Sequence, residues 1–283
     1  MDQTGAIILA ISLIIIMFGM GLSLTIADFQ RIVKYPKAVL TGTVNQLILL
    51  PLIGFGLASI FDLRPEVAVG IMILVACPGG PTSNLITHLA KGDTALSVTL
   101  TAVSSVVTII TIPLIIQFSM NRFMGDSTDV IVDAPQIMLQ LVVITLIPIS
   151  IGMMIKRKAP LFAQRMDRPV KIASAFVFVL VLVGLIVKEY ANLLPYFLQA
   201  GWITLTLNVL TMTLGYVVAR LMSLPFRQRI SISIESGIQN GTLAIAIATV
   251  SLGNSELAIA AAVYSLLMFV TSIFVILFAT RTA

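Results

Sequence analysis

The chain has 283 residues, of which 58% are hydrophobic and only 10% charged, with a formal net charge of +5. A soluble globular domain carries roughly 25% charged residues, so this composition excludes one, and apolar runs too long for strands and without an alternating period exclude a membrane barrel. The single cysteine, Cys77, excludes an intramolecular disulfide and a Cys/His zinc or haem site, and in a membrane chain the positive charge bears on loop placement and not on nucleic acid.

The expected fold class is therefore an all-α polytopic membrane protein. Ile7 to Ile26 is the first span; it follows Asp2 and not a basic segment, and it lacks a small-x-small cleavage site, so it reads as a span and not as a signal peptide. Asp28 to Lys37 reads as a short basic loop. The second span, Pro36 to about Ile60, holds Asn45, Gln46 and Pro51, with a kink expected at the proline. The third, Val67 to Ala90, is interrupted by Cys77-Pro-Gly-Gly-Pro-Thr-Ser-Asn84, where two prolines and two glycines break a helix. His88, near its end, reads as an interface residue or a proton relay.

Lys91-Gly-Asp93 is a tight turn into the fourth span, Thr94 to about Ser119. A polar, acidic loop from Asn121 to Asp133 precedes the fifth, Pro135 to Ile155, and Lys156 to Lys171 is the most basic loop. The remaining spans are about Ile172 to Val187, Tyr196 to Met222, Ile230 to Leu252 and Glu256 to Ala279, giving about nine in all. They form one transmembrane unit over residues 1–283, with a first repeat at about 7–120 and a second at about 135–280. Of the 17 Lys and Arg residues, all but Arg64, Arg122 and Lys188 fall on the side of the first loop. The positive-inside rule then places the N-terminus outside and the C-terminus in the cytoplasm, with the cell inner (plasma) membrane as the expected location.

The eighth span carries Glu235-Ser-Gly-Ile-Gln-Asn-Gly241. A charge at the bilayer centre costs at least about 2.5–3.5 kcal/mol, and no Lys or Arg lies deep within any expected span to offset it. The economical partner is a cation. Gly237 and Gly241 let the backbone leave the helix and free carbonyl oxygens, although Gly-x-x-x-Gly also serves close helix packing and Gln239 or Asn240 could be interhelical hydrogen bonds. The broken third and eighth spans lie five apart and so cross in opposite directions, a pattern that points to the midplane site of a transporter built from inverted halves. Ser97 and Thr101, four apart, share one helix face, though such hydroxyls often bond their own backbone. One carboxylate among neutral oxygens suits a monovalent ion.

Met17-Phe-Gly-Met-Gly-Leu-Ser-Leu24, the Cys77–Asn84 break, Lys91-Gly-Asp-Thr-Ala-Leu-Ser97 and Glu235-Ser-Gly-Ile-Gln-Asn240 together resemble the bile acid:sodium symporter family, across nearly the whole chain. The resemblance implies sodium-driven import of an organic anion, small carboxylate or bile-acid-like, by a core of inverted repeats with two crossing broken helices and a separate panel. Spans one, five and six would form the panel. It implies two sodium ions: one at Ser83, Asn84, Ser97, Thr101 and Glu235, the other at Gln46, Glu235 and Gln239 with the backbone carbonyls of Ser236 and Ile238. The substrate is implied beside the crossing, near Pro81, Thr82 and Asn240. Pro81 stands where bacterial relatives often have Thr, and Leu267-Met-Phe269 is apolar where some relatives are polar.

The partners expected are thus the lipid bilayer and the anion, with no nucleic acid and no obligate protein partner. Proton coupling through Glu235 is the alternative, because burial can raise a carboxylate's pKa. An intramembrane enzyme is a remote one, since one His, one Cys and one deep acid make no catalytic constellation.

Overall fold

The computed structural model describes residues 3–125, 132–188 and 193–282, and their regular elements are helices. In chain order these are α1 (Gln3–Ser23), α2 (Ile26–Lys34), α3 (Pro36–Ile60), α4 (Pro65–Ala76), α5 (Pro81–Leu89), α6 (Thr94–Phe123), α7 (Ala134–Lys158), α8 (Pro160–Lys188), α9 (Leu193–Leu221), α10 (Phe226–Gly237), α11 (Gly241–Ser251) and α12 (Glu256–Thr282). Residues 126–131 of the expected acidic loop, and the side chains of Arg168, Lys171 and Lys188, lie outside the described residues.

Helices α3, α6, α7, α12 and the Ala200–Leu221 part of α9 are each long and apolar enough to cross a membrane, and the bent pair α1–α2 makes a sixth candidate. The expected nine spans need in addition the two broken helices, α4–α5 and α10–α11, and α8. The protein is thus a polytopic helical membrane protein, with its span count resting on how the broken helices are placed in the bilayer.

Proline positions explain many of the boundaries. Pro36, Pro65, Pro81 and Pro135 sit in first turns, where the missing N–H has no intrahelical acceptor to lose. Pro51 and Pro148 lie further in, and each follows a wide π-turn, Asn45–Leu49 and Val142–Leu146. A proline ring crowds the carbonyl four residues before it, and a widened turn moves that carbonyl aside, so the expected kink at Pro51 takes this form.

Two expected loops are helical instead. Asp28 to Lys37 is largely α2, nucleated by a capping box in which the Asp28 carboxylate accepts from the Thr25 N–H at 2.7 Å and from the Thr25 hydroxyl at 2.7 Å. Lys156 to Lys171 is divided between the end of α7 and the start of α8, with Ala159 as the joint.

Helices α1, α7 and α8 pack on one another, with Leu22 of α1 and Ala163 and Val170 of α8 forming a small cluster against which Ile155 of α7 rests. Glycines set the α1–α7 approach: a Cβ on Gly21 would lie 2.3 Å from the Ile149 carbonyl oxygen, and one on Gly152 would lie 2.5 Å from that of Phe18. The Lys156 ammonium donates to the Ser23 carbonyl oxygen and ties the same ends together. This is the panel.

The core repeats one order twice: a long helix, a broken helix, a long helix. α3, α4–α5 and α6 form the first set; α9, α10–α11 and α12 form the second. The broken helices meet in an antiparallel bridge between Gly79 and Gln239, and the Asn240 N–H donates to the Pro78 carbonyl at 3.0 Å.

Candidate functional site

The site is built where the two breaks cross. α4 ends at Cys77, and the chain runs extended through Gly80 (φ −133°) before Pro81 begins α5. α10 ends at Gly237, Ile238 is extended (φ −106°), and Asn240 caps α11 by accepting the Leu243 N–H at 3.0 Å. Glycine at 79 lets the breaks touch, since a Cβ there would stand 2.3 Å from Glu235 Oε1 and 2.9 Å from Glu235 Cδ.

Glu235 is 2% exposed. Its Oε2 accepts from the Ser97 hydroxyl at 2.8 Å, and its Oε1 from the Thr101 hydroxyl in a short contact. Ser97 Oγ also lies 2.9 Å from Asn84 Oδ1, and Thr101 Oγ1 lies 3.4 Å from that oxygen and 3.5 Å from Ser83 Oγ. The Ser83 hydroxyl donates to the Gly80 carbonyl at 2.8 Å. Ser97 and Thr101 have one hydroxyl proton each, and these face four acceptors: both Glu235 oxygens, Asn84 Oδ1 and the Ser97 backbone carbonyl, 3.0 Å from Thr101 Oγ1. A negative charge, acceptors beyond the supply of protons and an all-oxygen shell together fit a hard cation.

Gln46 and Gln239 meet beside this cluster. Gln46 Nε2 donates to Gln239 Oε1 at 2.7 Å and to the Cys77 carbonyl at 2.9 Å. Gln239 Nε2 donates to the carbonyls of Ser236 at 3.0 Å and Glu235 at 3.2 Å. Ile238 closes the last turn of α10 by donating its N–H to the Ile234 carbonyl at 2.8 Å.

The structure thus joins Ser83, Asn84, Ser97, Thr101 and Glu235 in one hydrogen-bonded cluster, and Gln46, Gln239 and the Ser236 carbonyl in an adjoining one. Pro81 and Thr82, both half-buried, form the first turn of α5, and Asn240 sits across from them, 3.7 Å from where a Gly80 Cβ would stand. The Asn240 side-chain oxygen is taken by its cap, which leaves the amide nitrogen as its free polar atom. His88 is exposed at the end of α5.

Sequence reasoning missed the groups that hold the second break. Asn208 Nδ2 donates to the Gly237 carbonyl at 2.7 Å, the Tyr264 hydroxyl donates to the same oxygen at 2.8 Å, and the Thr271 hydroxyl donates to Asn208 Oδ1 at 2.5 Å. Tyr264→Phe removes one of two donors to a buried carbonyl. It should cost about 1 kcal/mol, the net worth of one hydrogen bond, and lower the midpoint of thermal unfolding measured in detergent.

A narrow crevice with room for about one water molecule lies between panel and core. Ala10 and Leu13 of α1, Gln140 and Ile144 of α7, and Leu243 and Ile247 of α11 are among its lining. Gln140 Oε1 is buried there without a hydrogen-bond partner among the described residues.

Residues 10–195 match the family described as the Sodium Bile acid symporter family. The chain is 32% identical over 235 residues to an uncharacterized sodium-dependent transporter, YocS, of Bacillus subtilis, a match over 83% of this chain and 71% of that one. It is 29% identical over 259 residues to a probable chloroplastic sodium/metabolite cotransporter of Arabidopsis thaliana, covering 90% of this chain and 62% of the relative. Over 252 residues it is 32% identical to the human ileal sodium/bile acid cotransporter, with 88% and 71% covered.

Proposed function

The chain belongs to the sodium bile acid symporter family, and from that premise we propose that it moves an organic anion across the membrane with two sodium ions, by alternating access of the core against the panel. The observation that supports this best is Glu235, whose buried carboxylate accepts from Ser97 and Thr101 in one cluster and whose backbone carbonyl accepts from Gln239 in the adjoining one, with no ion pair to it among the described residues. One ion would take Ser83, Asn84, Ser97, Thr101 and Glu235; the other would take Gln46, Glu235, Gln239 and the carbonyls of Ser236 and Ile238. Ligands drawn from α3, α5, α6 and α10 make binding depend on how the two broken helices meet. An ion that prefers one such arrangement shifts the balance between states, whereas equal affinity would shift nothing.

The anion would bind beside the crossing, at the first turns of α5 and α11, where backbone N–H groups and the positive helix ends favour negative charge. Thr82 and the Asn240 amide would fix its carboxylate, with Pro81 narrowing the choice. The orientation that follows from the basic residues is N-terminus outside and C-terminus in the cytoplasm, in the cell inner membrane.

The test is uptake into proteoliposomes from a panel of organic acids, with an imposed sodium gradient and matched potassium or choline controls. Uptake of one acid under the sodium gradient alone is the expected result; equal uptake in sodium-free buffer under a pH gradient would move the coupling to protons. With the substrate in hand, Gln140→Leu should change the ranking of acids while leaving the sodium dependence intact. KM values for two acids of different bulk, measured with the sodium titration of each, check it.

A further inference from the structure

We propose that α2 and the α7–α8 joint form a binding surface for anionic phospholipid headgroups, with α2 lying in the plane of the membrane interface. α2 turns by 64° from α1 and has no buried residue. Asp28, Phe29 and Arg31 are its half-buried residues and face the core: the Thr99 hydroxyl donates to the Asp28 backbone carbonyl at 3.0 Å, Phe29 packs against the hydrophobic cluster, and Arg31 lies 3.9 Å from Asp93. The other large apolar residues look away from it, with Ile26 54%, Ile32 38% and Val33 85% exposed. Ile26 and Val33 are seven apart and share one helix face. Such a face has no reason to stand in water, and acyl chains just below the headgroups are what would cover it.

The headgroup class follows from the charges around that face. Lys34 and Lys37 are exposed beside Val33. The Lys156 bond to the Ser23 carbonyl brings the end of α7 up to the α1–α2 bend, and there Arg157, Lys158 and Arg165 are exposed together with Leu161 at 72% and Phe162 at 50%. Of the nearby acids whose side chains are described, Asp28 is engaged in its capping box and Asp93 with the Leu96 N–H at 3.1 Å and with Arg31. Cations without an ion pair among the described residues, flanked by exposed Ile, Val, Leu and Phe, match a leaflet whose headgroups are negative and whose chains are apolar.

The full chain in detergent is titrated with phosphatidylglycerol, phosphatidylcholine and inorganic phosphate, with thermal stability as the readout. Phosphatidylglycerol alone should stabilise. In the double variant Lys34→Gln/Arg157→Gln its midpoint should move up by about 25-fold, fivefold for each cation removed near an anionic surface. An unchanged midpoint, equal stabilisation by phosphatidylcholine, or the same effect from inorganic phosphate would overturn the proposal. Should the double variant not fold, Val33→Trp in a Trp202→Phe background is reconstituted into vesicles containing phosphatidylglycerol. Quenching by phosphatidylcholine brominated on its acyl chains supports the interfacial placement of α2; quenching only by aqueous iodide overturns it.

Discussion

Glu235→Gln should abolish sodium-driven uptake while leaving the protein, without sodium, at least as stable as the unsubstituted chain. The amide keeps the shape of the carboxylate and an oxygen for a Ser97 or Thr101 hydroxyl, but it removes a charge that is 2% exposed. Burying a charge costs several kcal/mol unless a partner offsets it, so its loss relieves the fold. Sodium at a hundredfold its Kd stabilises a binding-competent protein by about 2.7 kcal/mol, and this increment should vanish in the variant. The two signs separate a ligand from a structural acid, since a structural acid would lower stability with or without sodium. Thermal unfolding of both proteins in sodium and in choline measures both. A variant that kept its full sodium-dependent stabilisation would remove Glu235 from the ion sites.

Gly79→Ala should be nearly as damaging to transport, although residue 79 offers no side chain to ion or substrate. Its Cβ would stand 2.3 Å from Glu235 Oε1, in a place fixed by the bridge to Gln239. Either the carboxylate or the break must move. Overpacking of this kind costs about 1–3 kcal/mol, and here the strain falls on the ligand cluster itself. The neighbouring Gly80→Ala is the control: its Cβ would meet Asn240 at 3.7 Å, an ordinary contact, and its φ of −133° suits any residue. Gly79→Ala should lose both stability and sodium affinity, and Gly80→Ala should retain both. Equal sodium affinity in the two variants would show that the crossing does not set the ion geometry.

The two breaks and Glu235 were legible because each carries a cost visible in one dimension: proline and glycine in an apolar run, and a carboxylate with no base in reach. The same reasoning placed Ser97 and Thr101 on one face, since helical spacing needs no tertiary information. Asn208 and Tyr264 were not legible that way, as an amide and a phenol in a span are common and their shared partner is a backbone carbonyl. The repeat gives only an approximate pointer: Gln46 donates to the carbonyl of Cys77, 31 residues on, at the end of α4, and Asn208 donates to that of Gly237, 29 residues on, at the end of α10, so the two donors stand two residues out of register when the halves are aligned on their breaks. α2 was missed because its nine residues bury nothing, so that only the Thr25-x-x-Asp28 box announces it. The π-turns before Pro51 and Pro148 depend on how the surrounding helices yield to each ring, which no local pattern encodes.

The contact of α1 with α7 through Gly21 and Gly152 sets the stiffness of the panel. Where main chain rests on main chain there is no cushion of rotamers to shear, so the two helices behave as a single strut, pinned at one end by Lys156. In the alternating access proposed above, such a strut would serve as a fulcrum: displacement of the core would be expressed at the crevice lined by α1, α7 and α11, and any side chain placed at residue 21 or 152 would wedge the strut apart before it touched the crossing.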